Sequence, residues 1–368
     1  MAKAKATRMG YDYPLAVAVL LLLGFSLLMV YSASSHIAAY RIGDSNYYLK
    51  RQAMFCLLGI LVMLGARYVP VSLYRKLVYP ILILSTGLLM AVFVPGVGKK
   101  VGGAYRWLRL GPVTIQPAEF AKFALAVYMA YSMAKKGSQM STFWKGLFPH
   151  LVVAGIVMGL LVVQPDLGTA VILAAWVFIM LFIGGCRLHY LLSLVLGAVP
   201  FVYVLITHAD YRLRRWWAFL NPWKDPTGVG FQIIHSFFAF GSGGLLGVGI
   251  GASKQKLFYL PEPHTDFVFS IVGEELGFVG VCGVVAVFVF IIVRGVQISL
   301  SARDLYSTYL GFGLTVMLGL QVLVNMAVVL GLLPTKGLTL PLLSYGGSSM
   351  LVTLLAIGVL LNIASQRG

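Results

Sequence analysis

Of the 368 residues, 60% are hydrophobic and 11% charged, and the formal net charge is +17. A water-soluble globule of this length does not carry that ratio, so the solvent for most of the chain is lipid. Backbone amides in hydrocarbon need internal partners, and the apolar runs here are unbroken rather than alternating, which excludes a β-barrel and leaves a bundle of helices.

The first apolar run, Pro14 to Ala33, is long enough to span and lacks a small-residue cleavage pattern, so it stays as the first membrane helix. Further runs of about 20 residues begin near Gln52, Lys76, Pro117, Leu147, Leu167, Leu188, Phe267, Ser307 and Gly347. They predict an all-α polytopic membrane protein, a single domain over 1–368 with about ten transmembrane helices. An even count puts both termini on one side. The tail, residues 1–13, carries Lys3, Lys5 and Arg8, which hold it in the cytoplasm by the positive-inside rule.

With that orientation the inner connections are short and basic, with Arg67, Arg75, Lys76, Lys135, Lys136, Lys145, Arg187, Arg294 and Arg303. The outer connections hold nearly as many cations, among them Arg41, Lys50, Arg51, Lys99, Lys100, Arg106, Arg109, Arg212, Arg214, Arg215 and Lys336. Orientation therefore rests mainly on the first tail. The outer charge forms a positive field suited to a phosphate-bearing lipid; anionic headgroups or a partner subunit would answer to the same charge. Nucleic acid is not an expected partner.

A long outer loop, about 208–265, lies between helices 7 and 8. Loops of this length are usually functional. Within it Phe231 to Phe240 is apolar and aromatic and Gly241 to Gly251 is glycine-rich, so part of it lies in the interface or re-enters the bundle. No strand–helix unit surrounds these glycines, which removes a nucleotide fingerprint. Cys56, Cys186 and Cys282 read as small apolar side chains, not as a disulfide framework or metal site. No internal repeat is found, which weighs against an inverted-repeat transporter.

Glu119 and Lys122 are three residues apart in a span opened by Pro117, so they share a helix face and can pair, either to fix packing or to serve a site. In Gln164-Pro165-Asp166 the acid reads as a helix cap. Asp266 is the sharpest candidate. It ends a proline-stiffened loop, Leu260-Pro261-Glu262-Pro263-His264-Thr265-Asp266-Phe267, where an apolar helix starts at the membrane boundary. Burial raises a carboxylate's pKa and makes it a competent general base, a helix N-terminus lowers it, and capping is the structural alternative. Glu274 and Glu275 are adjacent, so at most one shares Asp266's face; Glu275 is taken for the cavity. Lys336, in the last outer loop, suits a phosphate contact. Ser344 opens Ser344-Tyr345-Gly346-Gly347-Ser348-Ser349, which serves close helix approach or substrate contact.

At these residues the chain resembles the SEDS family, the shape, elongation, division and sporulation proteins, on its FtsW and SpoVE branch rather than that of RodA. The resemblance covers nearly the whole chain. It is carried by Gly103-Ala104-Tyr105-Arg106-Trp107 with Gln116-Pro117-Ala118-Glu119-Phe120-Ala121-Lys122, by Tyr259 through Phe267 with Gly273-Glu274-Glu275-Leu276-Gly277, and by Leu333-Pro334-Thr335-Lys336-Gly337-Leu338 through Ser349.

The resemblance implies a bacterial inner-membrane peptidoglycan glycosyltransferase that polymerises lipid II, a lipid-linked glycan, on the outer face of the membrane. It implies a class B penicillin-binding transpeptidase and other divisome proteins as partners, and the division septum as the place of work. Carried onto this sequence, Asp266 is the essential acid, and Glu119 with Lys122 lines or braces the same cavity. Arg51, Arg106, Arg109 and Lys336 are the first choices for holding the pyrophosphate leaving group, by their position beside membrane ends. A divalent cation, Mg or Mn, could assist, although no dedicated carboxylate cluster is present to hold one. The rival readings are a lipid II flippase, an elongation- or sporulation-type polymerase of the same family, and a noncatalytic scaffold.

Overall fold

The computed structural model describes residues 12–101, 104–111, 113–257 and 259–366. The cationic tail that set the expected orientation, Lys3, Lys5 and Arg8, lies outside the described residues, as does Gly103. Among the described residues thirteen α-helices and three short strands follow one another as α1 Tyr13–Ile42, α2 Tyr47–Tyr68, α3 Val71–Lys76, α4 Val78–Ala91, β1 Gly98–Val101, β2 Ala104–Leu110, β3 Val113–Ile115, α5 Pro117–Lys136, α6 Phe148–Val163, α7 Leu167–Ile183, α8 Leu188–Thr207, α9 Asp210–Leu220, α10 Phe231–Gly243, α11 Val268–Leu300, α12 Leu305–Val329 and α13 Gly347–Ser365. Among the described residues, seven helical segments are long and apolar enough to cross a membrane: α1, α2, α8, α11, α12, α13, and α6 with the π turn before it. The shorter apolar helices α4 and α7, and the 20-residue α5, bring the number of spans to ten.

Apolar side chains line every spanning helix, but burial sorts them. In α5 the run Ala121–Ala130 is buried throughout, and α13 is buried along most of its length. In α8 only Leu191 is buried, which leaves its apolar surface to lipid. The centre of the bundle is thus α5, α12 and α13, with α2 along α13, α4 beside α5, and α11 held between α1, α10 and α12.

Alternating spans place the long connections at one end of the bundle, with the starts of α5, α7, α11 and α13, and put both ends of the described chain at the other. Contacts agree: Arg294 pairs with Asp12 at 3.1 Å at the second end, and Arg41 with Glu262 at 3.1 Å at the first. The all-α expectation needs one addition. Residues 98–101, 104–110 and 113–115 form a small antiparallel sheet in the order β1-β2-β3, with the strand-favouring aromatics Tyr105 and Trp107 in its central strand.

The long connection after α8 is mostly structured. It holds α9, α10 and a glycine-rich turn that packs into a break in α11. At Gly277 φ is +65°, and an added Cβ would meet the backbone of Gly247 at 2.3 Å, so only glycine fits. Carbonyls freed there are taken by the turn, Val248 N–H donating to Glu274 O and Gly249 N–H to Glu275 O, both at 3.0 Å. Non-helical backbone at membrane depth survives only when protein satisfies it in this way.

Candidate active site

Asp266 stands just before α11, and its side chain does not cap that helix. The N-cap is Phe267, with no side-chain bond to the first turn. The Asp266 carboxylate instead accepts from the Thr265 hydroxyl at 2.7 Å, while the Asp266 carbonyl accepts from Asn325 Nδ2 at 3.1 Å. Gly337 faces it: a Cβ there would lie 3.7 Å from Asp266 Oδ2. Burial pushes its pKa above the ordinary carboxylate value, against smaller opposing effects from Thr265 and the Arg215 charge.

Beyond Gly337 opens a cavity of about 260 Å³ between the starts of α7 and α9, the end of α8 and the loop before α13. Arg106, Arg212, Arg215 and Lys336 line it against one acid, Asp166, and its remaining wall includes Val171, Val202 and Ile206. Asp166 is largely spent as the cap of α7, accepting from Thr169 N–H at 3.3 Å and the Thr169 hydroxyl at 2.8 Å. Arg106 reaches in from β2 and donates to the carbonyls of Gln164 and Pro165. Lys336 lies across the start of α7, where a Cβ on Gly168 would come within 3.1 Å of its side chain. Burial lowers the Lys336 pKa, with the nearby Asp166 charge acting the other way. A larger, more open hollow of about 900 Å³ adjoins this cavity, sharing Tyr211, Arg215 and Thr335. The arrangement combines a proton acceptor, a cationic cradle and an apolar slot beside lipid. Such a site suits an anionic group carried on a hydrophobic tail.

The other sequence-derived candidates fall elsewhere. Glu119 and Lys122 form a buried ion pair at 2.7 Å, but they line a separate space of about 40 Å³ between α5, α12 and α13, not the cavity beside Asp266. That is room for about one water. Glu275 does not line the cavity beside Asp266 either: it accepts from Ser32 and pairs with Lys256 at 2.8 Å, wholly buried. Ser344 is buried and turned inward, its hydroxyl accepting from Leu340 N–H at 2.8 Å. Arg109 is exposed on β2. Arg51 sits over the Tyr47 ring, 4.7 Å from its centroid, away from the cationic cavity.

Sequence reasoning passed over Arg212 and Arg215 as members of the site. Their signal was present in Tyr211-Arg-Leu-Arg-Arg-Trp-Trp217, whose helical spacing puts aromatic and basic side chains on one short interfacial helix. Among the described residues no three of His, Cys, Asp and Glu converge.

The chain matches the FTSW_RODA_SPOVE family, described as cell cycle protein, over residues 13–368. A relative in Trichlorobacter lovleyi, named probable peptidoglycan glycosyltransferase FtsW, is 49% identical over 355 residues, covering 96% of this chain and 93% of the relative. A solved chain from work on the structural coordination of polymerization and crosslinking by a peptidoglycan synthase complex superposes with a TM-score of 0.81 at 32% identity, covering 97% of this chain and 98% of that one. The crystal structure of the rod shape determining protein RodA of Thermus thermophilus gives 0.72 at 30% identity, with the same coverage.

Proposed function

The chain belongs to the FtsW, RodA and SpoVE family of cell cycle proteins and is a peptidoglycan glycosyltransferase of the inner membrane; within that activity we propose that Asp266 is the general base and that the neighbouring cationic cavity holds the lipid-pyrophosphate of lipid II. In this reading the acceptor sugar hydroxyl attacks the anomeric carbon of the donor. Its proton passes to Asp266 as the new C–O bond forms. The bond to the pyrophosphate breaks, and the released charge rests on Arg106, Arg215 and Lys336. Direct displacement inverts the anomeric centre.

One observation carries the proposal: a carboxylate left free of the helix cap is half-buried against the loop that walls a cationic, lipid-side cavity. Because the leaving group is already a good one, the protein's main work is to hold two lipid-anchored substrates in line. Purified protein given labelled lipid II in detergent, with a transpeptidase partner present, is expected to make glycan strands, and Asp266→Asn to make none. Strands of unchanged yield from the variant would refute the base.

A flippase would need ionisable groups through the membrane depth. The buried ones among the described residues are mostly in the half of the bundle that holds the cavity, Glu119, Lys122, Asp166, Lys256, His264, Glu274 and Glu275, with Asp12 and His150 in the other half. That distribution supports polymerisation. The septal role, the outward orientation of the cavity, cytoplasmic termini, a class B transpeptidase partner and further divisome partners are proposed with it, on the relatives' naming and on the crosslinking complex.

A further inference from the structure

Asp266 and Lys336 belong to different loops, one leading into α11 and the other into α13, and a side chain from a third element joins them. Asn325 lies about one turn before the end of α12, buried in the bundle. Its Nδ2 donates to the Asp266 carbonyl at 3.1 Å and to the Leu338 carbonyl at 2.5 Å. Both partners are carbonyls, which only the NH2 end of an amide can satisfy, so chemistry fixes the orientation of the side chain. Among the described residues Asn325 Oδ1 meets no donor. An aliphatic side chain of similar size would leave no buried oxygen unpaired, so the two donated bonds are what the asparagine contributes.

The helix that carries this amide is itself held in place. It packs between α5 and α11. The carbonyl of its last residue, Val329, accepts from the Ser236 hydroxyl of α10 at 2.6 Å, and Ser236 Oγ lies 2.8 Å from Ser270 Oγ of α11. The chain on the far side of the amide is tight as well. Leu338 N–H donates to the Lys336 carbonyl at 2.9 Å, so Lys336, Gly337 and Leu338 make one turn. Holding Leu338 therefore holds Lys336, and it lays Gly337 against the acid, where a Cβ would be 3.7 Å from Asp266 Oδ2.

We propose that Asn325 is a positioning residue for glycosyl transfer: by bonding both loops it sets the separation between the proton acceptor and the cation that takes the leaving group. The proposal rests on the roles given above to Asp266 and Lys336. Proton transfer and departure of pyrophosphate belong to one displacement, so base and cation must be in register with the same anomeric carbon. A misplacement of about 1 Å between them costs about a hundredfold in rate. Asn325 touches neither substrate nor reacting atoms, and it works from a helix of the bundle rather than from a loop, which is where precise support belongs. The charges that act on Asp266 are Glu262 in its own loop and Arg215 on α9, with Lys336 on the turn itself, and none is borne by α12. Replacing the amide by an uncharged side chain thus changes the surroundings of the acid only by loosening the turn and admitting water.

Two near-isosteric variants of the full chain, assayed in detergent on labelled lipid II with a transpeptidase partner present, test the idea. Asn325→Leu removes both donors, and Asn325→Asp puts acceptors in their place. Per folded protein, kcat is expected to fall about ten- to a hundredfold in both, with KM within about twofold of the parent. The acid limb of the pH–rate profile of Asn325→Leu is expected to move down toward the ordinary carboxylate range. Hydrogen exchange is expected to quicken in both loops, residues 259–266 and 334–343. Asn325→Gln, which carries the same amide one methylene farther out, is expected to recover part of kcat. A lower unfolding midpoint with kcat per folded protein and the acid limb unchanged would make Asn325 a packing residue and overturn the proposal. So would losses in Asn325→Leu and Lys336→Ala that simply multiply when combined, since a residue acting through Lys336 matters less once that lysine is gone. An Asp266→Asn protein of full activity would sink the base reading alone, because exchange in the two loops reports their tie to Asn325 without turnover.

Discussion

Asp266 and the pair Glu274 and Glu275 are carboxylates in one short stretch of chain, and the fold treats them in opposite ways. Glu274 accepts from the Ser253 hydroxyl and from the N–H groups of Lys254 and Gln255 at 2.9 and 3.3 Å. Glu275 accepts from Ser32 at 2.6 and 2.8 Å and from Lys256 Nζ at 2.8 Å. Both pin the glycine-rich turn into the break in α11. Asp266 has the Thr265 hydroxyl as its side-chain partner and a raised pKa. A carboxylate whose oxygens are committed holds the chain together, whereas one kept under-coordinated beside a cavity stays free to take a proton.

Substitution separates the two kinds. Asp266→Asn should cut strand formation by about two to four orders of magnitude, the usual contribution of a general base, with unfolding in detergent unchanged because no cap is lost. Glu275→Ala should do the reverse in kind. Breaking a buried ion pair costs about 3–5 kcal/mol, so its unfolding midpoint falls first and activity follows only through lost protein. Replacing Glu275 and Lys256 together by Met should recover much of that loss, since no charge is then left unpaired. A stable, inactive Glu275→Ala protein would blur the comparison.

Acidity sharpens it. Asp266 must be ionised to accept a proton, and its pKa is raised, so turnover falls as pH drops through a value above the ordinary carboxylate range. Lys336 must be charged to hold pyrophosphate, and its pKa is lowered by burial, so turnover also falls as pH rises through a value below that of free lysine. The pH–rate profile should be a bell narrower than the interval between ordinary Asp and Lys values. Lys336→Arg should shift only its basic limb, upward, because a guanidinium stays charged.

The ten spans and the candidate acid were legible in the sequence because each depends on short-range signals: apolar run length, and an acid between a proline-rich loop and a helix start. What gathers around the acid was not. Arg106, Arg215 and Lys336 are far apart in the chain, and only the packing of β2, α9 and the loop before α13 brings them to one wall. Glu119 and Lys122 were readable as a pair by their spacing, yet which space they face depends on how α12 and α13 dock on α5. Glu275 looked eligible for a cavity because its partner, Lys256, belongs to a turn whose re-entry depends on the break at Gly277.

Arg106 and Arg109 give the smallest test. They are equivalent in a linear sequence, two arginines in one basic outer connection. On β2, residues three apart point to opposite faces, and the structure sends Arg106 toward the carbonyls of Gln164 and Pro165 while Arg109 stays in solvent. Losing a hydrogen bond to a charged group costs about 1.5–3 kcal/mol, so Arg106→Ala should lower kcat/KM for lipid II roughly ten- to a hundredfold. Arg109→Ala touches only solvent and should stay within about 0.5 kcal/mol of the parent. Equal losses in the two variants would mean that the outer arginines act as a diffuse field rather than as a built cradle, and raising the salt concentration would then weaken both alike.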